Sequence, residues 1–134
     1  MQAVCVDPAA VHQIWPAVKN FIANAVEHCG DWSLSEIEDG INKGDFLLWL
    51  AWSGEEIQGA AITKLVELRQ GEKSCCIIAM GGRNIYKWRH CIDDIENYAT
   101  HENCKSVRID GRQGLQKVFT DYRSPWCVLE KRLT

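Results

Sequence analysis

Four consecutive residues, Gly81-Gly82-Arg83-Asn84, stand where an apolar run ends and a helical pattern begins. Ser74 to Met80 (SCCIIAM) is apolar without alternation, as suits a strand covered on both faces. After the turn, Ile85, Trp88, Ile92, Ile95 and Ala99 recur at steps of three and four, the stripe of a helix laid on a sheet. A strand, a glycine turn and a helix together direct free backbone N–H groups beyond the strand end. The helix dipole then favours an anion at that place. The simpler alternative is that the two glycines only let the chain reverse. The residues by themselves leave both open.

Other groups that could do chemistry are less well arranged. The seven cysteines (Cys5, Cys29, Cys75, Cys76, Cys91, Cys104, Cys127) are odd in number, and several lie in apolar segments. No secretory leader pattern precedes them, so buried free thiols in a reducing compartment are expected. Zinc would need more than His28, His90 and His101: there is no C-x-x-C pair, and His101-x-x-Cys104 is a lone half-site. No metal is expected. Asp93, Asp94 and Glu96 point in different directions on a helix and read as a solvated face rather than a divalent-ion site. His12 and His90 have no Ser or Cys nucleophile placed by a motif. Arg108, Arg112, Lys117 and Arg123 gather near the end, either to meet phosphates or to offset the acidic surplus.

The elements that must position these groups come from a chain of 134 residues, the size of one domain spanning 1–134. Its 46% apolar and 25% charged residues are those of an ordinary globular protein. A net charge of −3 offers no basic field for nucleic acid. No apolar run approaches the roughly 18 residues that cross a bilayer, so no membrane partner is expected and the cytoplasm is the expected location. Six tryptophans suggest core or interface anchors. Trp49 and Trp52 must point to opposite faces of one strand, one of them into the core.

In order, Ala3–Val6 reads as a short strand and Pro8 to His28 as a helix, with Pro16 either in its first turn or kinking it. Ser33-Leu34-Ser35-Glu36 has capping-box spacing and opens a second helix that Gly44 ends. Phe46–Trp52, Ile57–Leu68 and Ser74–Met80 form a three-strand antiparallel meander with tight turns between. One helix is expected from Ile85 to about His101. Ser106–Ile109 then lies parallel to Ser74–Met80 through that crossover. A short helix carries Leu115, Val118 and Phe119, and Trp126 to Leu133 is a last strand. The fold class is α/β (α+β): a mixed, mostly antiparallel sheet of about six strands with helices on both faces.

This order, β-α-α-β-β-β-α-β-α-β, resembles the GNAT fold of acyl-CoA-dependent N-acetyltransferases over nearly the whole chain. The pieces that carry the resemblance are Phe46–Thr63 (FLLWLAWSGEEIQGAAIT) and the end (GRQGLQKVFTDYRSPWCVLEKRL). That end is similar to those of small bacteriophage-encoded members. The resemblance implies acetyl-CoA as cofactor, with its pantetheine arm between two splayed strands, here Ser74–Met80 and Ser106–Ile109. It implies a pyrophosphate cradle at Met80, Gly81, Gly82, Arg83 and Asn84, with Arg83 as a charge partner. An amine, on a small molecule or a peptide, would attack the thioester directly.

Three features depart from the family pattern. The usual Arg/Gln-x-x-Gly-x-Gly/Ala turn is here Gly81-Gly82-Arg83-Asn84-Ile85-Tyr86, poorer in glycine. The best register puts Phe119 where the family commonly has its thiolate-protonating tyrosine, which leaves Tyr122 as the candidate catalytic residue. No carboxylate lies on Ser74–Met80; Glu67 and Glu72 are adjacent candidates for a base. Two functions follow. One is an N-acetyltransferase-like enzyme. The other is a catalytically degenerate GNAT-fold module, phage-encoded and located in host cytoplasm or virion, acting as a homodimer or with phage structural proteins.

Overall fold

A computed structural model describes all residues from Met1 to Thr134. Its centre is a five-stranded sheet in the order β1-β2-β3-β4-β5, with β1 Gln2–Cys5, β2 Phe46–Trp52, β3 Ile57–Glu67, β4 Lys73–Gly82 and β5 Ser106–Ile109. The first four pair antiparallel, and β5 lies parallel to β4. The meander and the parallel crossover thus stand where the hydrophobic runs and the glycine turns place them.

Helices α1 (Val11–His28) and α2 (Leu34–Asn42) cover one face. Val18, Ile22 and Ile37 pack there against Leu48 and Ile62, all wholly buried. The capping box is complete: Ser33 Oγ accepts from the Glu36 amide at 3.1 Å, and Glu36 Oε1 accepts from the Ser33 amide at 3.0 Å. Helix α1 runs on through Pro16, its sixth residue. The missing proline N–H leaves the His12 carbonyl without its usual donor.

The opposite face carries α3 (Ile85–Trp88) and α4 (Ile92–His101), joined by a 3₁₀ turn at Arg89–Cys91. The single helix expected from Ile85 to His101 is therefore broken. Trp88 sits at φ −123° and ψ 5°, outside helical values, and its buried indole N–H donates to the Arg83 carbonyl at 2.7 Å. Burying that ring under the preceding turn takes precedence over helix continuity. Ile92, Ile95 and Ala99 of α4 then meet Trp49, Cys75 and Ile77 in a second core. Trp49 is the core tryptophan of its strand, its indole N–H bonded to Thr63 Oγ1 at 2.9 Å, while Trp52 is half-buried on the other face.

Two further expectations are corrected. The short helix near Leu115 is a 3₁₀ turn, Gln113–Lys117, from which Val118 and Phe119 enter the second core. Trp126–Leu133 is not a strand: it pairs with nothing and is exposed throughout. Strand-type residues form a strand only when a neighbour supplies the ladder, so the sheet has five strands rather than six. The cysteines are all free: Cys75 and Cys91 are buried, Cys5 and Cys127 exposed, and the other three intermediate. No helix is long and apolar enough to cross a membrane.

Candidate functional site

The two parallel strands part company in the middle of β4. Their ladder runs from Ser74↔Ser106 to Ile77↔Ile109, and the Asp110 amide closes it on the Ile77 carbonyl at 2.9 Å. β4 continues for five more residues, Ile78 to Gly82, paired only with β3. Just beyond that stretch the Arg83 amide donates to the Gln58 carbonyl of β3 at 2.8 Å. Alternation along an antiparallel ladder then turns the N–H and C=O of Met80 and Gly82 the other way, toward the side β5 has left. An open strand edge with two free amides is the site's main chemical feature.

A β-bulge sets this phase. The register slips between Ile62 and Thr63, leaving Ile78 extra on β4, so that Ile78 and Ala79 both join the α1–α2 core. Beyond it Gly81 faces α1, where a Cβ would collide with the Phe21 carbonyl. Gly82 faces the other way; a Cβ there would collide with the Gln58 carbonyl and lie 3.1 Å from the Trp88 ring. Both glycines are thus required by close approach of the chain's own backbone. Trp88 also lies where a Gly59 Cβ would be, 2.8 Å from two ring carbons.

At the turn itself Asn84 adopts a left-handed conformation (φ 52°), which asparagine tolerates better than most residues. Its amide has no backbone acceptor within the protein, and the Ile85 and Tyr86 amides open the first turn of α3, where helices leave N–H groups unpaired. The exposed Arg83 guanidinium stands 5.9 Å from the Phe21 ring centre.

Tyr122 lies elsewhere. Its hydroxyl donates to Glu96 Oε2 at 2.5 Å, and its ring packs edge-on to Phe119. Burial, then the Glu96 carboxylate, push its pKa far above the usual tyrosine value. Asp121 and Cys75 add to the shift. Tyr122 opens onto a groove of about 1030 Å³ beside β5, which Met80 to Asn84 do not line. The structure therefore gathers Met80, Gly81, Gly82, Arg83 and Asn84 at one strand end and leaves Tyr122 apart. Glu67 and Glu72 flank the opposite end of β4, roughly 30 Å from Gly82 by strand length. Phe119 is buried.

Sequence reasoning missed Glu96 as a partner of Tyr122, because a carboxylate on an exposed helical pattern reads as solvated. Asp93 and Asp94 are indeed exposed. Of the terminal cations, Arg108, Arg112 and Arg123 line the groove. No three His, Cys, Asp or Glu side chains come together to hold a metal.

Neither a protein-family model nor a curated protein matches the sequence. Solved structures do match the fold. A ribosomal-protein-alanine N-acetyltransferase from Brucella melitensis biovar Abortus 2308 superposes with a TM-score of 0.68 at 9% identity, covering 99% of this chain and 100% of that one. A GNAT family acetyltransferase from Staphylococcus aureus gives 0.61 at 14% identity, over 99% and 100%. An aminoglycoside acetyltransferase from an uncultured soil metagenomic sample, solved with sisomicin, gives 0.68 at 9% identity, over 99% and 96%. At these identities the likeness establishes the fold, which is that of the GNAT acetyltransferases.

Proposed function

We propose that the chain binds acetyl-CoA along the open edge of β4 and transfers the acetyl group to an amine. The observation that carries this reading is the parting of β4 and β5 after Ile77 and Ile109, which leaves the Met80 and Gly82 backbone free. Residues at the strand end fit such a cofactor in outline. Met80 and Gly82 offer amides and carbonyls to a polyamide arm, and Asn84, Ile85 and Tyr86 offer amides to an anion. Arg83 adds a positive charge. When bound, acetyl-CoA supplies a thioester carbonyl open to attack by an amine.

The chain's own part in that attack is positioning. No carboxylate or imidazole stands on β4 to take the amine proton, and Phe119 has none to give the departing sulfur. Orientation alone can supply about 7–11 kcal/mol of a barrier, whereas acid–base assistance typically adds about 10²–10⁴-fold. Slow transfer without a dedicated acid is therefore physically reasonable. Small-molecule and peptide amines are both admissible acceptors.

One contact favours a second reading, a GNAT-fold module without catalysis that serves assembly or partner binding. Tyr122, the only tyrosine of the C-terminal region, has its hydroxyl committed to Glu96. Thermal-shift titration separates the two. A protein that binds acetyl-CoA and CoA melts higher at ligand concentrations far above the dissociation constant. An unchanged melting temperature at millimolar ligand leaves the module.

A further inference from the structure

We propose that Asp110 takes the proton from the acceptor amine, a role that rests on acetyl-CoA lying along the open edge of β4. β4 has no carboxylate of its own between Ser74 and Gly82, and β5 brings one to the point where the strands part. The Asp110 amide is the last to bond across the pair, reaching the Ile77 carbonyl at 2.9 Å. One step further the register would set Asp110 opposite Ile78, the bulge residue after which β4 pairs only with β3. Met80, whose amide is turned to the open side, lies two positions beyond Ile78, about 7 Å along the strand. A base within about 3 Å of an amine, itself about 3–3.5 Å from the carbonyl it attacks, needs a span of that size.

Alternation along β5 puts the Asp110 side chain on the face of Arg108, whose register partner Cys76 borders the α1–α2 core. The charges around it agree with that placement. Asp110 acts on Cys76 of β4 and on Cys29 at the end of α1, and is itself acted on by Arg108 and Asp31. Arg112, which also acts on Cys29, and Lys64, which acts on Cys76, complete the set. Despite these cations, no ion pair of the chain uses the Asp110 carboxylate. The residue is exposed, so an amine reaches it from solvent.

An unpaired carboxylate at that place suits a base. Partial burial raises its pKa, Arg108 offsets part of the rise, and Asp31 adds to it. A carboxyl moved up from its ordinary range is the better proton acceptor at neutral pH. Glu96 is committed to Tyr122, and Glu67 and Glu72 flank the far end of β4. In the balanced step the ammonium gives one proton to Asp110, which passes it to solvent, and the freed lone pair forms the C–N bond. As the C–S bond breaks, the sulfur keeps the electron pair and takes the second N–H proton.

Transfer to butylamine, protonated at neutral pH, and to methoxyamine, already unprotonated there, tests this on the full chain alongside acetyl-CoA binding by calorimetry. Asp110→Asn is expected to bind acetyl-CoA as the parent does and to melt no lower. It should lose about 10²–10⁴-fold with butylamine but less than about tenfold with methoxyamine. Asp110→Glu should recover part of the butylamine rate. In the unliganded parent, carboxyl-carbon NMR should show Asp110 titrating above the ordinary aspartate range, and the butylamine rate should fall as pH drops through that same ionisation. An Asp110→Asn chain that keeps the butylamine rate within about tenfold overturns the proposal and leaves acetyl-CoA binding standing. Equal losses with both amines, lost acetyl-CoA affinity alongside the rate, or an Asp110 that titrates as an ordinary aspartate overturn it too. So does a parent that binds acetyl-CoA but acetylates neither amine. A parent that binds no acetyl-CoA overturns the proposal together with the reading beneath it.

Discussion

The Tyr122 hydroxyl donates to Glu96 Oε2 at 2.5 Å, tying the last packed turn of the chain to the middle of α4. A hydrogen bond to a charged partner of this kind contributes about 1.5–3 kcal/mol. Tyr122→Phe should lower stability by roughly that amount in urea unfolding. If transfer relies on positioning, the same variant keeps its acetylation rate within about tenfold, less than the 10²–10⁴-fold expected on losing a general acid. A loss of that larger size would make Tyr122 the acid after all.

Alkaline pH should unfold the protein early. Burial raises the Cys75 thiol from 9.0 to about 12, and burial followed by the Glu102 charge raises Tyr98 from 10.0 to about 12. Both groups keep their protons longer folded than unfolded, so the unfolded state binds fewer protons above pH 9. Stability is therefore full below pH 9 and falls as pH rises from 9 toward 12. Denaturant midpoints measured across that window check it, and Cys75→Ala should flatten the slope.

Trp49 and Thr63 form a buried side-chain pair, the indole N–H on the hydroxyl at 2.9 Å. Thr63→Val keeps the shape and strands the N–H, at a cost of about 1–3 kcal/mol. Thr63→Ser should cost less, because the acceptor survives.

How much of this was legible in the sequence depends on whether a feature is local. The capping box at Ser33 and Glu36, the meander and the glycine turn are each fixed by a few adjacent residues. The first two appear as expected, whereas β4 runs on through Gly81 and Gly82 and the chain turns only at Arg83 and Asn84. The break at Trp88 was not legible, because it depends on Gly59, 29 positions earlier, leaving room for an indole. The Glu96–Tyr122 contact spans 26 positions in the same way. The missing sixth strand shows the converse: Trp126–Leu133 has strand composition, yet composition does not provide a partner. At Gly81 and Gly82 neither glycine reverses the chain: both are the last residues of β4, required by close packing, and the free amides lie beyond them.

Gly59 and Trp88 should therefore behave as one unit. Gly59→Ala places a Cβ 2.8 Å from the ring, which overpacks the site at about 1–3 kcal/mol, and Trp88→Ala alone should cost about 3–5 kcal/mol. In the Trp88→Ala background the ring atoms that a Cβ at 59 would meet are gone. A double-mutant cycle should show coupling of at least about 1 kcal/mol.

Arg83 is exposed, so Arg83→Ala should leave the melting temperature unchanged. Its charge should still matter to a phosphate-bearing ligand, weakening CoA binding about two- to five-fold, the scale of an exposed ion pair. Titration calorimetry at low salt reads that difference.

Amide hydrogen exchange at Met80 and Gly82 bears most directly on the open edge of β4 as the cofactor's resting place. Saturating acetyl-CoA should slow exchange at both amides while leaving Ala79 and Gly81, already bonded to β3, as they were. Rates at Met80 and Gly82 that stay the same in millimolar acetyl-CoA would contradict the account.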